Sequence, residues 1–182
     1  MSACDRDRPD WGGAAEHDRE NAMTVKPDST KLTPEAQLRS FIDRFDPKDQ
    51  KLIRSIRAAI RKRFPTANEL AYDYSNQVVI AYSPTDRPYD SIVSFAARTD
   101  GVRLYFMHGP QLPDPKKLLL GAGKQTRFVR VEAASQLAHP DIEALIAAAI
   151  DLASVPLPSK EAGELIMKSG AAKQRPSRRP TK

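Results

Sequence analysis

Apolar residues along the chain first fall at helical spacing. Leu38, Phe41, Ile42 and Phe45 recur three or four positions apart. They follow Thr33-Pro34-Glu35, where Thr33 can cap free N–H groups and Pro34 sits in the first turn at no cost. Asp46-Pro47 repeats the start signal ahead of a second stripe, Leu52, Ile53, Ile56, Ile60 and Phe64, which Pro65 ends. Lys51, Arg54, Arg57, Arg61 and Lys62 lie mostly off that stripe and read as a basic outer face. The period then shortens. Residues 69–74, 77–83, 91–98, 102–108 and 126–132 are rich in Tyr, Val, Ile and Phe and read as five strands. Thr99-Asp100-Gly101 is a hairpin connection between the third and fourth. Residues 109–123 form a long loop with a short helical piece around 116–120. His139-Pro140-Asp141 opens a last long helix with Ile142, Leu145, Ile146, Ala149, Ile150 and Leu152 as its stripe, and residues 159–167 suggest a loosely docked helix.

This order predicts an α+β fold: two N-terminal helices, a five-stranded and mainly antiparallel sheet, and a C-terminal helix packed on one face. Alternating βαβ units are missing, which argues against a doubly wound parallel sheet.

Composition sets the limits of the folded part. Of the 182 residues, 1–32 and 168–182 carry few or no large apolar side chains. Such segments cannot bury enough apolar surface to offset the entropy of ordering. The expected organisation is a disordered tail over 1–32, one domain over 33–157 and a basic, largely disordered tail over 158–182. About 125 residues suffice for one core without covalent staples. The net charge of +6 is unevenly placed: residues 159–182 hold seven basic and two acidic residues, while 1–32 are slightly acidic. The high pI therefore belongs mainly to the C-terminal tail. Cys4 is the sole cysteine, so neither an intramolecular disulfide nor a cysteine zinc site can form. No stretch has the apolar length of a membrane span, and the first twenty residues are too charged for a secretory signal. Cytoplasm is the expected location. Met23 offers an alternative start.

The segments ELAYDYSNQVVIAYS, PTDRPYDSIVSFAA, LYFMHGPQLPDPKKLLLGAGKQTRFVRV and QLAHPDIEALIAAAI together resemble the YdhG-like domain, a bacterial family of unknown function. The most specific part runs from Leu112 to Arg127: LPDP, a leucine pair, G-x-G and Arg127, with Leu137 and Pro140 continuing the pattern. The resemblance spans most of residues 38–152. It implies an α+β fold grouped with frataxin-like proteins, some of which are iron chaperones, while a neighbouring branch is described as DNA-binding. It implies no catalytic residues.

Four groups of residues carry candidate chemistry. Glu69 and Asp73 share one face of a strand, where two carboxylates offer oxygen ligands to a hard cation such as iron. Alternatively they pair with arginines such as Arg87 or Arg98, as charges set inside sheets usually do. A frataxin-like iron role also calls for acids on the first helices. Glu35, Asp43, Asp46 and Asp49 are there, but Arg39, Arg44 and Lys48 interrupt them. The second group, Gly121-Ala-Gly-Lys-Gln-Thr126, falls short of a phosphate loop: Leu118 stands where the first glycine belongs and Gln125 where the hydroxyl belongs. A weaker form survives as an anion-binding rim of Lys116, Lys117, Lys124 and Arg127. Third, His108 ends a strand beside Gly109 and, with Tyr72, Tyr74 and Tyr105, can line a small-ligand site; ordinary sheet packing is the alternative. The three histidines, His17, His108 and His139, lack metal-ligand spacing, and no Ser/His/Asp arrangement is visible. Fourth, Lys173, Arg175, Arg178, Arg179 and Lys182 can contact phosphates without sequence preference, although no aromatic residues interleave for base stacking. The sequence thus points to a non-enzymatic binding domain for a small ligand, metal ion or protein partner. An iron chaperone and weak nucleic-acid binding through the tail are the alternatives.

Overall fold

Proline and a capping side chain set the helix starts. In the computed structural model, which describes residues 32–74 and 76–168, α1 covers Pro34–Ile42 and α2 covers Pro47–Arg63. Thr33 caps α1 by accepting the Ala36 N–H at 3.3 Å. Asp46 marks the start of α2 through its backbone carbonyl, which accepts from Gln50 at 2.9 Å, and its side chain forms no cap bond. The alternating segments become β1 (Asn68–Tyr74), β2 (Gln77–Ser83), β3 (Val93–Arg98), β4 (Gly101–Phe106) and β5 (Arg127–Val131). They are followed by α3 (Pro140–Asp151) and β6 (Leu165–Lys168). Short 3₁₀ turns interrupt the loops at Pro88–Asp90, Gly109–Gln111 and Ala134–Ala138.

The sheet has the order β5-β4-β3-β2-β1-β6. Consecutive strands β1 to β5 form an antiparallel meander with full register, from Asn68 opposite Ser83 to Val102 opposite Val131. Side chains alternate across it. One face presents Ala71, Val78, Ile80, Val93, Phe95, Val102, Leu104, Phe106, Val129 and Val131, which join Leu38, Ile42, Ile53, Ile56, Ile60, Leu145, Ile146 and Ala149 in one core. The three helices therefore cover this one face, as the apolar stripes require. Each fully buried Ile, Leu or Phe contributes roughly 1.5–3 kcal/mol.

Two expectations are corrected. Among the described residues the sheet has six strands and is mixed: β6 pairs parallel with β1, Glu69 opposite Leu165 and Tyr72 opposite Lys168. Residues 159–167 thus supply a strand where a loosely docked helix was expected, and the folded region continues past 157 to at least Lys168. Gly163 makes this approach close, since a Cβ there would sit 1.8 Å from the Ala67 carbonyl oxygen. Hydrogen bonds fix the junction: Gly163 donates to Pro65 at 3.0 Å, and Glu69 donates to Glu164 at 2.8 Å. The second correction concerns 116–120, which is not helical. Leu120 forms an isolated antiparallel bridge with Phe128. Of the expected tails over 1–32 and 158–182, residues 1–31 and 169–182, with Cys4, His17, Met23 and the basic residues Lys173 to Lys182, lie outside the described residues.

Among the described residues no helix is long and apolar enough to cross a membrane.

Candidate functional site

The antiparallel meander decides which residues can meet. The connections β2–β3 and β4–β5 emerge at one end of the sheet, and the turns β1–β2 and β3–β4 at the other. His108 and Lys124 belong to the first end. They share a cleft of about 350 Å³ with Tyr89, Met107, Pro110, Gln111 and Gln125. Tyr74 belongs to the opposite end, where it lines a cleft of about 290 Å³ with Arg44, Asp46, Asp49 and Thr99. His108 is therefore separated from Tyr74, with which it was expected to line one ligand site, and shares its cleft with Lys124 of the expected anion rim. Tyr72 and Tyr74 stack on the sheet face away from the helices, ring centroids 6.1 Å apart. The Tyr72 hydroxyl is buried and has no hydrogen-bond partner among the described residues. Burial, and then the neighbouring Tyr74, push its pKa up. Tyr105 packs on Phe128 at 5.3 Å, over which the Arg103 guanidinium also lies.

The loop that carries Lys124 is shaped by the residues singled out in the sequence. The Asp114 carboxylate accepts the N–H groups of Leu118 at 2.8 Å and Leu119 at 2.7 Å. This satisfies the chain without a helical turn, which is why the short helix expected there does not form. Gly121 adopts φ +99°, turning the chain after the Leu120 bridge. Arg127 donates from its guanidinium to the carbonyls of Gly123 and, at 2.9 Å, Thr126. It ties together the two carbonyls that flank Lys124 and Gln125, and it does not line the cleft. Gly109 completes the arrangement: a Cβ there would lie 2.4 Å from the Arg127 backbone nitrogen. Of the expected anion rim, Lys116 pairs with Asp141 at 2.9 Å, and Lys124 alone among its lysines reaches the cleft.

The two carboxylates expected as metal ligands have other partners. Glu69 is buried on the core face of β1. Arg57 grips it with Nη2 to Oε2 at 2.6 Å and Nε to Oε1 at 3.1 Å. The Tyr82 hydroxyl donates to Oε1 at 2.9 Å, and Arg61 stands 3.3 Å from Oε2. Asp73 is paired with Arg44. The partners are thus arginines of α2 for Glu69 and Arg44 of the α1–α2 turn for Asp73, neither Arg87 nor Arg98. Arg57 also reaches Glu35 of α1, at 2.7 and 2.8 Å. Its guanidinium is held charged: burial alone would lower its pKa, but the hydrogen bonds to Glu35 and Glu69 outweigh burial and raise it. The hydrogen bond from Arg57 holds the Glu35 carboxyl below its ordinary value. As placed, Glu69 and Asp73 present no free ligand pair for iron, and among the described residues no group of three or more His, Cys, Asp or Glu converges on a cation position.

Tyr89 was missed by the sequence reading. It sits inside a polar loop, and no periodicity marks it. The signal available was a tyrosine directly after Pro88 in a stretch too short to bury it. Compared with protein-family models, curated proteins and solved structures, the chain shows no match.

Proposed function

We propose that this chain is a non-enzymatic binding domain that takes a small anionic ligand at the end of its sheet, in the cleft between the β2–β3 and β4–β5 loops. The observation that carries this reading is the cleft lining itself: Lys124 and His108 with two carboxamides, Gln111 and Gln125, and, among the described residues, no carboxylate. A lysine amine and an imidazole facing one concave space attract anions, and the carboxamides add donors for their oxygens. The residues that carry the YdhG-like resemblance, Leu112 to Arg127, are those that shape this loop, so the resemblance and the binding reading concern the same place. The iron-chaperone alternative gains little from Glu69, both of whose oxygens are held by Arg57, or from Asp73, whose Oδ1 is paired with Arg44.

A thermal-shift series on the full chain tests the reading. Orthophosphate, pyrophosphate and citrate are compared with chloride at matched ionic strength. A bound anion at a hundred times its dissociation constant adds about 2.7 kcal/mol of stability. We expect an upward shift with at least one anion, and its loss in Lys124→Gln, whose unliganded midpoint stays that of the wild type. No shift with any anion, or an equal shift in Lys124→Gln, overturns it.

A further inference from the structure

Tyr89 is 81% exposed, the most exposed large apolar side chain among the described residues. A ring this exposed is ordinarily a surface accident on a pliable loop. Here the loop is fixed. The Ser83 hydroxyl donates to the Arg87 carbonyl at 3.1 Å. The Thr85 hydroxyl donates to Asp90 at 2.6 Å and accepts the Arg87 N–H at 3.0 Å. Ser91 N–H closes the turn on Pro88 at 3.2 Å, and Ile92 N–H ties the loop back to Tyr82 at 2.9 Å. Pro88 restricts φ immediately before Tyr89. The ring is thus held out at the centre of a rigid single turn, and it lines the same cleft as Lys124, His108, Gln111 and Gln125.

Building on the anion-binding reading, we infer that Tyr89 is a stacking platform and that the ligand is a planar aromatic group joined to an anion, the chemistry shared by nucleoside phosphates and aromatic carboxylates. The ring supplies a flat face at little entropic cost, because its loop is already ordered. Lys124 supplies the charge complement, and His108 adds a ring N–H donor. Gln111 and Gln125 each offer a donor and an acceptor, the pattern that reads the edge of a heteroaromatic ring. The cleft, about 350 Å³, lies within the range of small-molecule sites.

Calorimetric titration of the full chain separates the parts of this inference. The probes are AMP against ribose 5-phosphate, and nicotinate against acetate, on wild type, Tyr89→Ala and Tyr89→Phe at matched ionic strength. Stacking a base on an aromatic side chain changes affinity by about tenfold to a hundredfold. The expected result is a preference of at least tenfold for the ring-bearing member of one pair, erased in Tyr89→Ala and retained in Tyr89→Phe; the pair that shows it names the source. Equal affinity within both pairs, or a preference that survives Tyr89→Ala, overturns the platform. In that case ribose 5-phosphate binding that is lost in Lys124→Gln leaves the anion site standing. If none of the four compounds binds, the platform falls, and the inorganic-anion series alone decides the anion site.

Discussion

Glu69 occupies a position on β1 that alternation reserves for the core, and it is 2% exposed. A carboxylate there is tolerated because each of its oxygens has a partner: Arg57 on both, Arg61 near one and Tyr82 on the other. Removing one partner of such a group costs more than the bond itself, since the remaining charge stays buried. Arg57→Ala is therefore expected to lower stability by about 3 kcal/mol. Arg44→Ala, which breaks the half-exposed pair with Asp73, is expected to cost under about 1 kcal/mol. Urea denaturation of the two variants decides this, and equal losses would refute the distinction. The carboxylate was legible in the sequence as a charge set in a strand, but its partner was not. Arg57 lies one residue past Ile56 and four past Ile53, on the flank of the α2 stripe, so a count of apolar positions places it outside. Its side chain is only 15% exposed, because the aliphatic stem runs along the core while the guanidinium meets Glu69.

At the level of elements, what acts within one turn was readable. Pro34, Pro47 and Pro140 open their helices where expected, and the hairpin at Thr99-Asp100-Gly101 closes with Gly101 at φ +114°. What depends on distant partners was not. β6 is four residues long, and its approach is anchored by Glu164 N–H donating to the Asn68 side chain, 96 positions away. Leu-Ile-Met at 165–167 fits a helix or a strand, and only the open edge of β1 selects the strand. The candidate site followed the same rule. The Leu112–Arg127 pattern pointed to a built loop, but that His108 and Lys124 share its cleft while Tyr72 and Tyr74 do not follows from strand order alone. The strand identity of β6 has a consequence for stability. Leu165 and Met167 pack against the core, and β1 loses its outer pairing without them. A chain ending after Leu157 is expected to be about 2–3 kcal/mol less stable than the full chain. Gly163→Ala, which forces a Cβ into the Ala67 carbonyl, is expected to shift stability in the same direction. Chemical denaturation midpoints that match the wild type in both would return 158–168 to the status of a tail.

The whole molecule joins helices to sheet through a polar centre that responds to pH at both extremes. On the alkaline side the group is Tyr82. Burial, and then the adjacent Glu69 charge, push its pKa well above the ordinary tyrosine value of 10.0. In the folded protein the hydroxyl stays protonated and donates to Glu69, while in the unfolded chain it ionises near pH 10. A pKa raised on folding gives stability that is fully present below pH 10 and is lost as pH climbs above it, because the unfolded state then releases a proton that the folded state retains. The slope is about 1.4 kcal/mol per pH unit for each such tyrosine. Tyr72, raised by burial and by Tyr74, adds to the same limb. On the acidic side Glu35, lowered by its hydrogen bond from Arg57, gives stability present above its ordinary value of 4.5 and lost as pH falls below it. Glu35 is 54% exposed, and solvent screening keeps that limb shallow. Tyr82→Phe isolates the steeper effect. At pH 8 the variant is expected to be less stable than wild type by about 1–2 kcal/mol, the loss of a hydrogen bond to a buried carboxylate. Between pH 9.5 and 11 the wild-type melting temperature should fall faster than the variant's, and the two curves should converge. Parallel curves over that range would mean that Tyr82 ionises in the folded and unfolded chains alike, and that the Glu69–Tyr82 contact does not hold the proton.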